Sequence, residues 1–410
     1  MRFETSRDYA HPHRPLPLRA LNSLPFGKRL EVDALLAAAR RAAKLEELAE
    51  PLALEFLAQL VASLEREASL TTTGRLLTAT NARTNLIVNL RAAAWAERSP
   101  IFATLPLARP IMICGLARSG TTLLQRLLAQ LPGARALATW EAIEPIPPLD
   151  WRPPASTPSD ARIRKARGAE TFLRWLSPDL FAAHPMDALA PEEEVMLLDK
   201  LFMSSVAETS YHVPSFARWL EGQDRTPAYR WLARCLRHLQ TQRGGDFWVL
   251  KSPHHLEHLD TVFEVFPEIT VIQTHRDPSE TVPSFCSLVA HGWGVMSDRV
   301  DPREVGRHWS RKIERMLARA MATRDARDDR SFVDVFYRDL LDDPLAVVER
   351  LCAQLELPWD EGIRAKLATW LESHRQHEHG LHRYAAEDFG LRRDDLDARF
   401  AGYRQRFELG

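Results

Sequence analysis

No apolar run in the chain approaches the roughly 18 residues of a membrane span, and the opening Met1-Arg-Phe-Glu-Thr-Ser-Arg-Asp8 lacks the apolar segment of a secretory signal. Cysteine is scarce. The 4 that occur, Cys114, Cys235, Cys286 and Cys352, are scattered and mostly in apolar company, so they read as reduced core residues rather than a disulfide frame or a zinc site. Charge of one sign is also missing: 54 Lys+Arg stand against 55 Asp+Glu, for a formal net charge of -1 with no long single-sign block. A dedicated nucleic-acid surface needs a clustered basic footprint, and there is none. These absences make a cytoplasmic soluble enzyme without bound metal the expectation. A length of 410 residues suffices for one elaborate domain or several ordinary ones and does not choose between them.

The most informative absence is a single lysine. Pro110-Ile-Met-Ile-Cys-Gly115-Leu-Ala-Arg118-Ser119-Gly120-Thr121-Thr122-Leu reads as a buried strand turning through glycines into a helix. Gly115 and Gly120 keep the glycine spacing of a nucleotide-triphosphate loop, but Thr121 stands where that loop carries its Lys. The loop's only long cation is Arg118. Unpaired amides and the dipole at the start of the helix favour an anion there, which need not be ATP.

Short apolar strands, each followed by a turn and a helix, recur beyond this point: Ile111–Cys114, Phe247–Leu250, Ile269–Thr274 and Phe332–Phe336. The expected helices begin at Thr121, near Leu256, near Glu280 and at Pro344. This alternation predicts an α/β fold with a central parallel sheet flanked by helices, and ligands gather beyond the carboxyl ends of such strands. Residues 1–107, rich in Ala, Leu and Glu, predict an N-terminal helical extension. Residues 108–395 form the main domain and 396–410 a helical tail. A long stretch, 140–246, opens proline-rich (Pro145, Pro147, Pro148, Pro153, Pro154, Pro158) and turns helical and aromatic, with Phe172, Trp175, Phe181, Phe202, Tyr211, Phe216 and Trp219. An insertion in that place is a natural acceptor-binding lid, although aromatics more often simply pack.

Four groups follow these strands. Arg276-Asp277-Pro278, with Ser284 farther along, offers a guanidinium and a hydroxyl to a second phosphate, or else a structural salt bridge. Lys251, after Phe247-Trp-Val-Leu, emerges at the same sheet edge and is suited to neutralise charge during group transfer. Glu141, in Ala138-Thr-Trp-Glu141, is a base or a surface carboxylate; His254 and His255 are rival bases. His184 and the run Glu192-Glu193-Glu194 read as structure of the insertion. Near the end, His377-Glu-His-Gly-Leu-His-Arg383-Tyr384 either closes over a nucleotide or packs as a tail.

Gly115-Leu-Ala-Arg118-Ser119-Gly120-Thr121-Thr122 resembles the 5′-phosphosulfate loop of PAPS-dependent sulfotransferases, whose usual bacterial form is Gly-x-Pro-Arg-Ser-Gly-Thr-Thr. Arg276 and Ser284 are similar to that family's 3′-phosphate site. The resemblance covers about residues 108 to 395. It implies a fold related to the nucleotide kinases, with PAPS (3′-phosphoadenosine 5′-phosphosulfate) as co-substrate, adenosine 3′,5′-bisphosphate as product and no metal. It also implies loop residues Gly115 and Arg118 to Thr122 on the phosphosulfate, Arg276 and Ser284 on the 3′-phosphate, Lys251 steadying the transferring group, and Glu141 as base ahead of His254. Tyr337 and Arg383 join the cofactor-binding set. Ala117 departs from the family's Pro and removes no donor.

Two other readings stand beside this one. A P-loop kinase or ATPase needs the missing Lys and a metal-binding Asp, whereas Asp277 belongs to an Arg-Asp-Pro turn. A non-enzymatic helical module on a degenerate nucleotide fold rests on residues 1–105 alone. The expected acceptor is a small molecule with a hydroxyl or, less favoured, an amine; the insertion's aromatics lean toward a lipid, sterol, aryl or polyketide-like alcohol.

Overall fold

The fold is described from a computed structural model and covers residues 3–24, 29–152, 160–327, 329–374 and 382–409. Five parallel strands, β1 (Arg109–Gly115), β2 (Ala134–Ala136), β3 (Phe247–Lys251), β4 (Thr270–His275) and β5 (Phe332–Phe336), lie in the order β2-β3-β1-β4-β5. All four expected strands are present within a residue or two of the expected ends. The edge strand β2 escapes notice because it is 3 residues long. Register sets the ligand edge: Ile113 lies beside Lys251, and Gly115 beside Thr274, so β3, β1 and β4 finish together.

Alternation along the strands divides the core in two. Ile111 and Ile113 of β1, with Val249, Ile272, Val333 and Val335, face one apolar cluster completed by Leu124, Leu127 and Leu128 and by Val347, Val348 and Leu351. Met112 and Cys114, with Leu250 and Val271, face a larger cluster. Leu57, Leu64, Leu86 and Leu90 from the helices Ala53–Glu67 and Thr72–Arg98 belong to that second layer, as do Phe202, Phe216 and Trp231 from the insertion. Period-two strands buried on both faces read as unbroken apolar runs, as these do.

Pro51 ends one helical pattern in the sequence, and helices run Val32–Ala43 and Ala53–Glu67 on either side of it. The insertion is helical, from Thr139–Ile143 through Ala161–Leu176 and Pro178–Ala183 to Thr226–Gln242. Its Phe181, Phe202, Tyr211 and Phe216 are buried in packing. Trp219 sits edge-on against Phe56, ring centroids 4.8 Å apart, while Phe172 and Trp175 are exposed. Pro153, Pro154 and Pro158 lie outside the described residues. No described helix is long and apolar enough to cross a membrane.

Candidate functional site

At the end of β1 there is room only for glycine. A Cβ on Gly115 would stand 1.9 Å from Thr274 Oγ1. Ser119 is fully buried; its hydroxyl donates to the Leu116 carbonyl and hydrogen-bonds Thr274 Oγ1, each at 2.6 Å, fastening the loop to β4. Gly120 caps the helix Thr121–Leu128 at φ +85, where a Cβ would also strike Leu340 at 2.7 Å. A glycine cap supplies no side-chain acceptor, so the amides at buried Thr121 and exposed Thr122 remain available to an anion, with the helix dipole behind them. Arg118 takes φ 71, a strained value for a residue with a Cβ, and its carbonyl accepts from Arg276 Nη1 at 2.8 Å.

That bond joins the loop to the second anion group. Arg276 lies over the Tyr337 ring, guanidinium carbon 4.2 Å from the centroid, and pairs with Glu280 at 3.1 Å. Asp277 caps the long helix Pro278–Met296 by accepting from Ser279 N at 2.9 Å, and pairs with Arg393 at 2.6 Å. It is committed to the turn. Ser284, two turns into the helix, is buried, and its hydroxyl has no hydrogen-bond partner among the described residues.

Lys251 is buried at the end of β3, its Nζ 2.6 Å from Glu193 Oε1. Ser252 Oγ donates to the other Glu193 oxygen at 3.0 Å. Burial pushes the Glu193 carboxyl up, but the Lys251 charge and the two hydrogen bonds more than offset it, holding it below the ordinary carboxylate value. Next to it, buried Glu194 accepts from Lys251 N at 2.8 Å and meets His255 Nε2 at 2.7 Å, while His255 Nδ1 meets Tyr229 OH at 2.8 Å. This chain fixes the loop after β3. His254 faces away from the pair: Nδ1 contacts Ser205 Oγ at 3.1 Å, Nε2 has no hydrogen-bond partner among the described residues, and burial drives the ring well below its ordinary pKa.

Two expected site residues lie elsewhere. Glu141 is wholly buried, with Arg135 Nη2 on Oε1 at 2.6 Å, and Arg135 Nη1 and Arg243 Nη2 on Oε2, each at 2.9 Å. Ala138 N also donates to Oε2, at 3.0 Å. Arg135 pairs in register with Trp248 near the start of β3, and Arg243 precedes that strand, so the carboxylate points back from the ligand edge. A carboxylate so occupied has no lone pair for an acceptor proton, and the role of base is corrected to exclude it. Arg383 turns outward as well, pairing with Glu4 at 2.7 Å, with 60% of its side chain exposed. Residues 377–381 of the same segment lie outside the described residues.

Three features went unread. Glu193 reaches the ligand edge from the acidic run, whose signal was three adjacent carboxylates. The insertion also meets the loop through Ala183, whose carbonyl accepts from Arg118 Nη1 at 3.4 Å. Finally, the N-terminal lead straps the C-terminal segment: Thr5 Oγ1 accepts from Arg383 N at 2.8 Å, Arg7 pairs with Asp388 at 2.7 Å, and Ser6 N donates to Asp179 at 2.7 Å. Nothing local in residues 4–9 encodes those distant partners. Among the described residues, no group of three or more His, Cys, Asp or Glu is placed to hold a metal.

Comparison with known proteins agrees with this geometry. The STF1 sulfotransferase of Mycobacterium tuberculosis H37Rv superposes with a TM-score of 0.80 at 31% identity, over 91% of this chain and 99% of that one. STF9 of Mycobacterium avium gives a TM-score of 0.84 at 26% identity, over 94% and 99%. Curated protein sequences give no match. The family profile described as "Sulfotransferase family" matches residues 110–361, more than half of the chain, and the chain belongs to the sulfotransferase family.

Proposed function

We propose that the chain moves the sulfuryl group from PAPS to a hydroxyl of a small-molecule acceptor by direct in-line displacement. The acceptor oxygen forms a bond to sulfur as the bond from sulfur to the bridging phosphate oxygen breaks, giving a sulfate ester and adenosine 3′,5′-bisphosphate. Gly115, Ser119 and Gly120 shape the loop, and the amides at Thr121 and Thr122 with Arg118 hold the 5′-phosphosulfate end. Arg276 and Ser284 hold the 3′-phosphate, and Tyr337 backs the Arg276 guanidinium. Lys251 offsets charge growing on the sulfuryl oxygens. Glu193, ionised at neutral pH and hydrogen-bonded to Lys251, takes the acceptor proton.

One observation supports the reading: Arg276 Nη1 donates to the Arg118 carbonyl, tying the two groups read as anion sites to each other across different strands, and the hydroxyl of buried Ser284 has no hydrogen-bond partner among the described residues. A kinase reading has no comparable support, since Asp277 is consumed in capping and pairing. Calorimetric titration with adenosine 3′,5′-bisphosphate and, separately, ATP with Mg²⁺ tests it. Binding of the bisphosphate, weakened in Arg276→Ala, is expected; preference for ATP with Mg²⁺ overturns the assignment.

A further inference from the structure

The helix Ala161–Leu176 has two faces. Ile163, Ala166 and Leu176 are buried on one, while Arg164, Arg167, Gly168, Thr171, Phe172 and Trp175 are all exposed. These six recur at spacings of three and four residues, so they form a single stripe on the solvent side. Such a stripe is ordinarily polar, yet this one carries two large aromatics, 39% and 45% exposed, with ring centroids 5.8 Å apart. Gly168, one turn from both Arg164 and Phe172, adds no cover: nothing lies within 4 Å of where its Cβ would be. Arg167, Gly168, Thr171, Phe172 and Trp175 line a hollow that opens widely to solvent.

Charge on the same helix is one-sided. It holds five cations, Arg162, Arg164, Lys165, Arg167 and Arg174, against one acid, Glu170. Three of the five are engaged nearby: Arg162 pairs with Asp160 at 2.8 Å, Lys165 pairs with Glu144, and Arg174 pairs with Glu170 at 3.2 Å and lies over the Phe181 ring. The guanidiniums of Arg164 and Arg167 make no ion pair or hydrogen bond among the described residues. Two unpaired cations beside two rings, on an open surface rather than in a cleft, are complementary to an anionic bilayer, where Trp and Phe enter the headgroup layer and Arg meets phosphate. A protein partner fits less well, since a stable protein interface takes roughly 20–30 residues a side and the stripe offers six.

We infer that this stripe docks the protein on an anionic membrane surface, with Phe172 and Trp175 in the headgroup layer and Arg164 and Arg167 on lipid phosphates. The helix lies along the surface and does not cross it; no described helix is long and apolar enough to do so. The docked face is close to the proposed phosphosulfate loop in the fold: the helix Pro178–Ala183 follows after Ser177, and its Ala183 carbonyl accepts from Arg118 Nη1. Docking itself requires neither PAPS nor transfer.

The test is sedimentation of the full chain, without PAPS, with vesicles of phosphatidylcholine alone and of phosphatidylcholine mixed equally with phosphatidylglycerol. Each cation near an anionic surface contributes roughly fivefold, so the two put the preference for the mixed vesicles at about 25-fold, reduced by added salt. Arg164→Gln combined with Arg167→Gln should remove most of that preference. Phe172→Ser combined with Trp175→Ser should weaken binding to both kinds of vesicle about tenfold or more. All four side chains are exposed, so both double variants should keep the parental thermal midpoint, which separates lost docking from lost folding. No binding to the mixed vesicles, equal affinity for the two kinds, or parental binding in either double variant overturns the docking.

Discussion

Two carboxylates in the same insertion, Glu141 and Glu193, show how differently one side chain can be used. Each pairs with cations from elsewhere in the fold. Glu141 is wholly buried and takes five hydrogen bonds of 3.4 Å or less, four from two guanidiniums and one from an amide, whereas Glu193 keeps a fifth of its side chain exposed beside one ammonium and one hydroxyl. The first arrangement fixes β2 to β3. The second leaves the acid at the ligand edge with a lone pair to give. Position in the sequence favoured Glu141, because it follows an apolar run at the head of the insertion; the count of partners reverses that.

The largest expected effect separates them by activity. Glu193→Gln should lower kcat by about 10²–10⁴-fold, as loss of a general base does, while calorimetry shows bisphosphate affinity unchanged. Since Lys251 holds the Glu193 carboxyl below its ordinary value, kcat/KM in the parent should stay level through neutrality and fall only as acid protonates it, below the usual carboxylate range. Equal activity in parent and Glu193→Gln would end its assignment as base. Glu141→Gln breaks a buried pair, for which a loss of roughly 3–5 kcal/mol is typical. Its signature is a lower thermal midpoint, and protein that remains folded at low temperature should transfer sulfate at close to the parental rate. A stable Glu141→Gln protein with collapsed kcat would restore the position-based reading.

Legibility in the sequence followed the range of the interactions. The glycine turn between β1 and its helix was readable because its demands are local: Gly115 has no space for a side chain, Gly120 needs φ +85, and an uncapped helix begins one residue later. The strands were readable because burial on both faces leaves an apolar run with no polar alternation. Glu193 was not, since only the fold brings an acidic run 58 residues away in sequence to Lys251. Nor was the tie between Thr5 and Arg383, which spans 378 residues. The outward turn of Arg383 has the same origin: its partner Glu4 comes from the other end of the chain.

At the nucleotide edge the expected effects are smaller and graded. Removing the Arg276 guanidinium takes away a charge-assisted hydrogen bond of about 1.5–3 kcal/mol, so Arg276→Ala should weaken bisphosphate binding roughly 10- to 100-fold. Adenosine 5′-monophosphate, lacking the 3′-phosphate, should bind parent and variant alike. Equal losses for both nucleotides would place Arg276 in the loop's structure rather than on the 3′-phosphate.

Tyr337 makes the finest cut. Its ring supports Arg276 from 4.2 Å and also closes against Gly120, so it touches both proposed anion sites. A cation–π contact at a partly exposed site is worth about 0.5–1 kcal/mol, so Tyr337→Leu should weaken bisphosphate binding roughly two- to fivefold, and Tyr337→Phe, which keeps the ring, should leave it unchanged. If Tyr337→Phe weakened binding as much as Tyr337→Leu, the phenol would be making a bond of its own. The nucleotide edge would then rely on a hydroxyl at Tyr337 as it is proposed to do at Ser284, and the ring's part would be chemical rather than a matter of shape.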